Sequence, residues 1–324
     1  MSTGPEAPLR VRVARKQPAG ADIAIFELVS ADGAALPPFS AGSHVDVALG
    51  NGLTRQYSLC NDPGESHRYQ IAVLKDTRGR GGSRAMHDSV HEGGLLSISA
   101  PRNHFALAHG AKESVLLAGG IGITPLICMA ERLSMIGQPF TLHYCTRSPD
   151  RTAFRDRIET SRYRSHVRFH FDDGPQEQKL DLAALLGTSK PGVHVYTCGP
   201  KGFMDAVLST ARASGWPEDQ LHYEFFSAEP VKLATDGAFE VQLASSGRVI
   251  PVAADQTVVA ALAAGGVEVP VSCEQGVCGT CLVRVLQGEP DHRDFYLTPE
   301  EQAANDQFLP CCSRARSARL VLDL

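Results

Sequence analysis

The stretch "CEQGVCGTC", residues 273–281, sets Cys273, Cys278 and Cys281 in the spacing C-x4-C-x2-C. "FLPCCSRA" then offers Cys311 and Cys312, and with Cys311 the run becomes C-x4-C-x2-C-x29-C. No other feature limits the fold of its region so strongly. A chain that gathers four thiolates round one inorganic group must build a tight, non-repetitive loop there. The first three cysteines have the spacing of a [2Fe–2S] loop. Two irons bridged by sulfide need four soft, deprotonated ligands on a loop of small residues. Gly276 and Gly279 let the backbone close round the group and turn amides toward the sulfurs. A structural zinc site normally uses paired C-x2-C knuckles, and only one is present here. Zinc, and a chance set of core cysteines, are the weaker alternatives, as is Cys312 in place of Cys311. Cys60, Cys128 and Cys145 lie in apolar stretches and read as core residues.

A length of 324 residues exceeds one comfortable core and suits two or three domains. A net charge of −5 argues against nucleic acid as the partner, because phosphate binding needs a clustered basic face. The N-terminus shows no secretory signal. The longest apolar stretch, 114–130, is broken by three glycines and a proline, and falls short of the ~20 residues of a spanning helix. No membrane association and a cytoplasmic location are expected. In that reducing compartment the nine cysteines serve metal binding or burial rather than disulfides.

Residues 1–109 read as an antiparallel barrel. "LRVRVARK", "DIAIFELVS", "HVDVALG", "TRQYSLC", "YQIAVLK" and "LLSISAP" alternate apolar and polar residues between turn-forming clusters. Over 110–228 the rhythm changes to strands alternating with helices, which predicts a parallel sheet covered on both faces. Residues 229–237 read as a linker, and 238–324 as a third unit. From Gly237 onward there are 11 Asp/Glu against 6 Lys/Arg, so all of the net acidity lies in this last unit.

Four further stretches carry chemistry. "LLAGGIGITPL" places Gly119, Gly120, Gly122 and Thr124 after a strand and at the opening of a helix, where backbone amides can meet a pyrophosphate, with a tight structural turn as the alternative. "YTCGP" puts Cys198, Gly199 and Pro200 at the carboxyl end of a later strand of the same sheet, where an open parallel sheet presents its ligands. Cys198 there suits a nicotinamide, with a buried core cysteine as the alternative. In the barrel, "RQYSLCN" offers Arg55 for a phosphate, Tyr57 for a ring edge and Ser58 for the flavin N5 region, with ordinary surface packing of an arginine–tyrosine pair as the alternative. "RGRGGSRAMHD" adds Gly82 and Ser83, the latter read as the N-cap of a short helix.

In this order the motifs R-x-Y-S, G-G-S, G-G-x-G-x-T-P and C-G-P resemble the ferredoxin–NADP reductase superfamily. The cysteine segment 238–324 resembles a plant-type ferredoxin, which implies an α+β, β-grasp fold. The combination resembles the phthalate dioxygenase reductase family over nearly the whole chain. The resemblance implies FMN at Arg55, Tyr57, Ser58, Gly82 and Ser83. It implies the nucleotide at Gly119, Gly120, Gly122, Thr124, Cys198, Gly199 and Pro200. The [2Fe–2S] cluster is implied at Cys273, Cys278, Cys281 and Cys311. Phe226, closing "HYEFF", matches the aromatic that covers the flavin, with a core strand end as the alternative. Ser58, Cys198 and Phe226 are the candidate catalytic residues. NADH is the implied donor, with Asp150 for its ribose diol; Arg147 and Arg151 keep a 2′-phosphate open.

The implied activity is an electron relay in a monomer. NADH delivers two electrons together, the cluster takes one at a time, and the flavin stands between them. The implied partner is a Rieske-type, aromatic-ring oxygenase. A plant-type cluster near about −400 mV and a Rieske centre at roughly −150 mV leave about four decades of driving force. Acidity in the last unit suits steering toward a basic patch on the oxygenase, or simply solubility. A di-iron monooxygenase or other acceptor, and a redox-sensing module, are the rival readings.

Overall fold

The computed structural model describes residues 7–50, 52–77, 79–226 and 233–324. The chain divides into two compact units, one ending at Phe226 and the other spanning Ser227–Leu324. Of the expected linker, residues 229–232 lie outside the described residues.

The first unit opens with β1 (Leu9–Pro18), β2 (Ile23–Ser30), β3 (His44–Leu49), β4 (Leu53–Ser58), β5 (Tyr69–Leu74), α1 (Gly82–Ser89) and β6 (Leu95–Ile98). These are the six strands expected from alternation. They form one antiparallel sheet in the order β4-β3-β6-β1-β2-β5. Val11, Val13, Phe26, Leu28, Val45, Val47 and Ile71 fill its interior. The two edge strands approach each other through a bridge at Leu59–Ile71 and a Cys60 N–H donating to Gln70 O at 2.9 Å. The sheet is thereby nearly closed into a barrel, which protects edges that would otherwise stand open.

The same unit continues through β7 (Glu113–Gly119), α2 (Ile123–Met135), β8 (Phe140–Thr146), α3 (Arg155–Glu159) and β9 (Val167–Phe171). It ends with α4 (Leu182–Leu186), β10 (Val193–Cys198), α5 (Lys201–Ala213) and β11 (Leu221–Glu224). The five strands are all parallel in the order β11-β10-β7-β8-β9. A single turn of 3-10 helix, Gly120–Gly122, joins β7 to α2. Helix α2 is apolar almost all round. Its Leu126, Ile127, Cys128, Met129 and Ala130 are fully buried, and they share one core with Leu116, Leu142 and Tyr144 of the sheet and Ile25, Cys60 and Phe105 of the barrel. A helix without a polar face must be covered on both sides. That is why barrel and parallel sheet form one compact unit.

The second unit holds β12 (Phe239–Leu243), β13 (Val249–Val252), α6 (Val258–Ala264), β14 (Val283–Gln287), β15 (Pro290–Asp291), α7 (Pro299–Ala304), β16 (Gln307–Phe308), β17 (Arg314–Ala315) and β18 (Arg319–Leu322). Its mixed sheet runs β13-β12-β18-β14-β16, with β12 and β18 parallel and α6 packed on it through Val258, Ala261 and Leu262. This is the expected α+β, β-grasp arrangement. The cysteine loop occupies the irregular stretch between α6 and β14. Asp236, at the far end of the expected linker, is nearly buried in this unit and paired with Arg293 at 2.5 Å.

Candidate functional site

The glycine loop and the C-G-P loop meet. In the sheet, β7 lies between β8 and β10, so the connections leave it in opposite directions and open a crevice at the strands' carboxyl ends. Gly119 and Gly122 press against Cys198–Pro200 there. A Cβ on Gly122 would stand 2.1 Å from Cys198 O, and one on Gly199 would stand 2.9 Å from Gly119 Cα. Gly120 takes a φ of +53°, which favours glycine. Thr124 is buried and its hydroxyl donates to Ile121 O at 3.1 Å, closing the first turn of α2. Pro200 is the N-cap of α5.

The barrel contributes to the same place. Ser58, at the end of β4, is buried, and its Oγ donates to Glu224 Oε2 at 3.4 Å. Glu224 closes β11 and lies in register with Cys198 on β10. Burial pushes the Glu224 carboxyl up to about 8, against a smaller lowering from the Ser58 hydroxyl. The Cys198 thiol is raised well above its ordinary value by burial and, next, by Glu224. It is therefore a neutral thiol at pH 7. Burial likewise raises the Tyr57 phenol. Sequence reasoning missed Glu224. The signal available was an acid at the carboxyl end of a parallel strand, beside the strand that ends in Cys198.

Arg55 and Gly82 are also brought together, because a Cβ on Gly82 would meet Arg55 Nε at 2.5 Å. Ser83 is not the N-cap of α1. Gly81 holds that position with φ 87°, a backbone that serine rarely adopts, so the helix starts one residue before Ser83. The Ser83 hydroxyl instead accepts from Asp76 N at 3.0 Å in the first turn. Phe226 is half-exposed, two residues beyond Glu224. Asp150 follows β8, the neighbour of β7 in the sheet. Its backbone carbonyl accepts from Ala21 N at 3.0 Å, and it lines a separate groove of about 680 Å³ with Gln17, Asn61, Arg68, Glu131 and Arg157.

In the second unit the cysteine loop folds as its glycines require. Gly276 and Gly279 have φ of +74° and +69°. A Cβ on Gly279 would lie 2.2 Å from the Tyr296 ring, and one on Gly276 would lie 2.5 Å from Cys312 Sγ. Gln275 N donates to Cys273 Sγ at 3.3 Å. Cys281, Cys311 and Cys312 share a small core with Leu297 and Leu309. The Cys273 thiol is lowered by its bond to Cys278, but the bond to Cys311 and burial outweigh this and leave it raised. Cys278 is pushed up chiefly by Cys273 and then by burial. Cys312 is pushed up by Cys311 and then by burial.

Known proteins match along the chain. The family described as 2Fe-2S iron-sulfur cluster binding domain matches residues 241–316, and the oxidoreductase NAD-binding domain matches 116–209. A vanillate O-demethylase oxidoreductase of Pseudomonas sp. (strain HR199 / DSM 7063) is 55% identical over 94% of this chain and 96% of its own. Phthalate dioxygenase reductase of Burkholderia cepacia is 43% identical over 98% of this chain and 97% of its own. The solved structure of a phthalate dioxygenase reductase, described as modular for electron transfer from pyridine nucleotides to [2Fe-2S], superposes with a TM-score of 0.74 at 43% identity, covering 98% of both chains. This chain belongs to the phthalate dioxygenase reductase family.

As a member of that family it is an oxidoreductase with NADH, FMN and a [2Fe–2S] cluster as its cofactors, and it is the reductase component of an oxygenase system. Its residues fit those groups. Cys273 bonds to both Cys278 and Cys311, so sulfurs from the two cysteine segments converge as a thiolate-held cluster requires. Glycine contacts at 119, 122 and 199 leave backbone where a dinucleotide needs close approach. Among the described residues, no helix is long and apolar enough to cross a membrane.

Proposed function

We propose that this reductase passes electrons from NADH to a Rieske-type, aromatic-ring oxygenase, as a cytoplasmic monomer. Supporting the aromatic partner is the vanillate O-demethylase oxidoreductase relative, at 55% identity. The domains serve as an FMN-binding barrel over 1–109, a nucleotide-binding domain over 110–228, a linker over 229–237 and a ferredoxin domain over 238–324. The single observation that carries the reading is the meeting of barrel and sheet, where Ser58 of β4 bonds Glu224 beside Cys198.

Arg55, Gly82 and Ser83 bind the flavin phosphate, with Arg55 supplying the positive charge. Tyr57 and Ser58 orient the ring, and half-exposed Phe226 covers it. Gly119, Gly120, Gly122, Thr124, Gly199 and Pro200 receive the nucleotide, and Cys198 lies against its nicotinamide as an uncharged, polarisable surface. Asp150 is retained for the ribose diol. Glu224, protonated at neutral pH, holds a proton at the buried end of the site and fixes the Ser58 hydroxyl. Cys273, Cys278, Cys281 and Cys311 hold the cluster. A bound flavin would supply the conversion between the nucleotide's paired electrons and the cluster's single ones.

The test begins with the purified protein, in which flavin, iron and sulfide are counted and the visible spectrum recorded. About one flavin, two irons and two sulfides per chain are expected. NADH-driven oxygen uptake is then measured with a Rieske oxygenase and, separately, with a di-iron monooxygenase. Coupling to the second alone would reject the proposed partner.

A further inference from the structure

Beneath the cysteine loop of the second unit lies Asp294, whose side chain has no exposed surface. Its Oδ2 accepts from the backbone N–H groups of Leu297 at 2.8 Å and Tyr296 at 3.2 Å, and its Oδ1 accepts from Ser313 Oγ at 3.4 Å. Three donors thus face its two oxygens. The residues it holds are those that pack on the loop. Phe295 N donates to Gly276 O at 2.9 Å. The Tyr296 ring fills the space over Gly279. Leu297 packs with Cys281 and Cys311. Gly276 has no Cβ because Asp294 Cα would stand 3.0 Å from it. The carboxylate is thus the hub between the segment carrying Cys273, Cys278 and Cys281 and the segment carrying Cys311.

Arg293, next to Asp294 in the chain, directs its guanidinium to Asp236 and Asp291. Among the described residues, the basic group within ion-pair range of Asp294 is His292, with Nδ1 3.7 Å from Oδ1, and neither ring nitrogen of His292 has a hydrogen-bond partner. A buried charge in a medium of low dielectric acts on its neighbours far more strongly than one in water. The net charge around an iron–sulfur cluster is one of the quantities that set its potential.

We propose that Asp294 is a positioning residue for the [2Fe–2S] cluster, bracing the two cysteine segments and, through its buried negative charge, holding the cluster's reduction potential low. The inference rests on the cluster reading above. It gives the reductase a more strongly reducing exit for its electrons than the loop alone would provide.

Asp294→Asn separates charge from shape. The carboxamide oxygen still accepts from Tyr296 and Leu297, and the amide donates to Ser313 Oγ. The Ser313 hydroxyl is then free to turn toward Cys312 Sγ, 3.7 Å away. The measurement is EPR-monitored potentiometry on the full, flavin-loaded chain, with iron and sulfide counted in parallel. The ratio of reduced to oxidised cluster at a fixed potential is expected to rise about tenfold, an upward shift of about 59 mV for a one-electron couple. An intact cluster with unchanged potential overturns the proposal.

If Asp294→Asn fails to retain iron, Ser313→Ala decides. It removes one neutralising donor and leaves the charge, so the ratio should fall, on the order of threefold. An unchanged ratio there is equally fatal. A wild-type protein without iron would instead overturn the cluster reading itself, before either variant is compared.

Discussion

Glu224→Gln tests whether the barrel and the parallel sheet build the electrostatic environment described for the site. The wild-type carboxyl ordinarily titrates at 4.5 and is pushed up to about 8 in the folded chain. Its protonation therefore stabilises the folded state. That contribution is fully present below pH 4.5 and is lost as pH rises through about 8. Between these limits linkage gives a slope of about 1.4 kcal/mol per pH unit. From about pH 5.5 to about pH 7.5 the wild type should lose about 2.5 kcal/mol relative to the glutamine variant, which keeps an acceptor for Ser58 but does not titrate. For a unit of this size about 2–4 °C accompanies each kcal/mol, so the gap in Tm should open by about 5–10 °C. The assay is thermal unfolding of the flavin-loaded protein, followed by the fluorescence of released flavin, which reports on the first unit alone. A gap of the same size at both pH values would refute the argument. It would mean that the carboxyl is solvated and that Ser58, Cys198 and Glu224 do not form a closed site.

The other expectations rest on contacts already described. Gly122→Ala forces a Cβ to 2.1 Å from the Cys198 carbonyl, so the two loops must separate. It should cost about 1–3 kcal/mol of stability and raise the KM for NADH at least ~tenfold, and an unchanged KM would remove Gly122 from the nucleotide site. Cys311→Ser should yield a yellow protein without cluster absorbance, whereas Cys312→Ser should keep iron and sulfide at wild-type levels; the reverse outcome would make Cys312 the ligand. Arg55→Ala should weaken FMN retention by about 1.5–3 kcal/mol, the worth of a charge-assisted hydrogen bond, measured as flavin content after gel filtration.

Much of the fold is legible because it depends on short-range pattern. Period-2 alternation marks the six barrel strands, whose inward residues, such as Val11, Val13, Phe26 and Leu28, are found buried. The switch to strand–helix alternation after Gly110 marks the parallel sheet. Boundaries are less legible. The stretch "HYEFF" leaves its strand at Glu224, so Phe226 lies outside it. The helix near Ser83 starts earlier, because the left-handed turn belongs to Gly81. Glu224 was out of reach for a different reason: its partner Ser58 is 166 positions away, and only their meeting in a closed space changes its acidity.

The spacing of Cys273, Cys278 and Cys281 marks the cluster loop, and the resemblance carried by the ordered motifs implies the cofactors and the three kinds of domain. Ligand spacing and turn geometry are local, and local geometry can be read along a chain. What protonates, what is charged and what braces the loop emerged only from folding. Helix α2 joins barrel to sheet so that Ser58 reaches Glu224, and α7's approach sets Asp294 beneath the thiols. Burial and field are properties of everything within a few ångströms in space, and separation along the sequence carries no record of that distance.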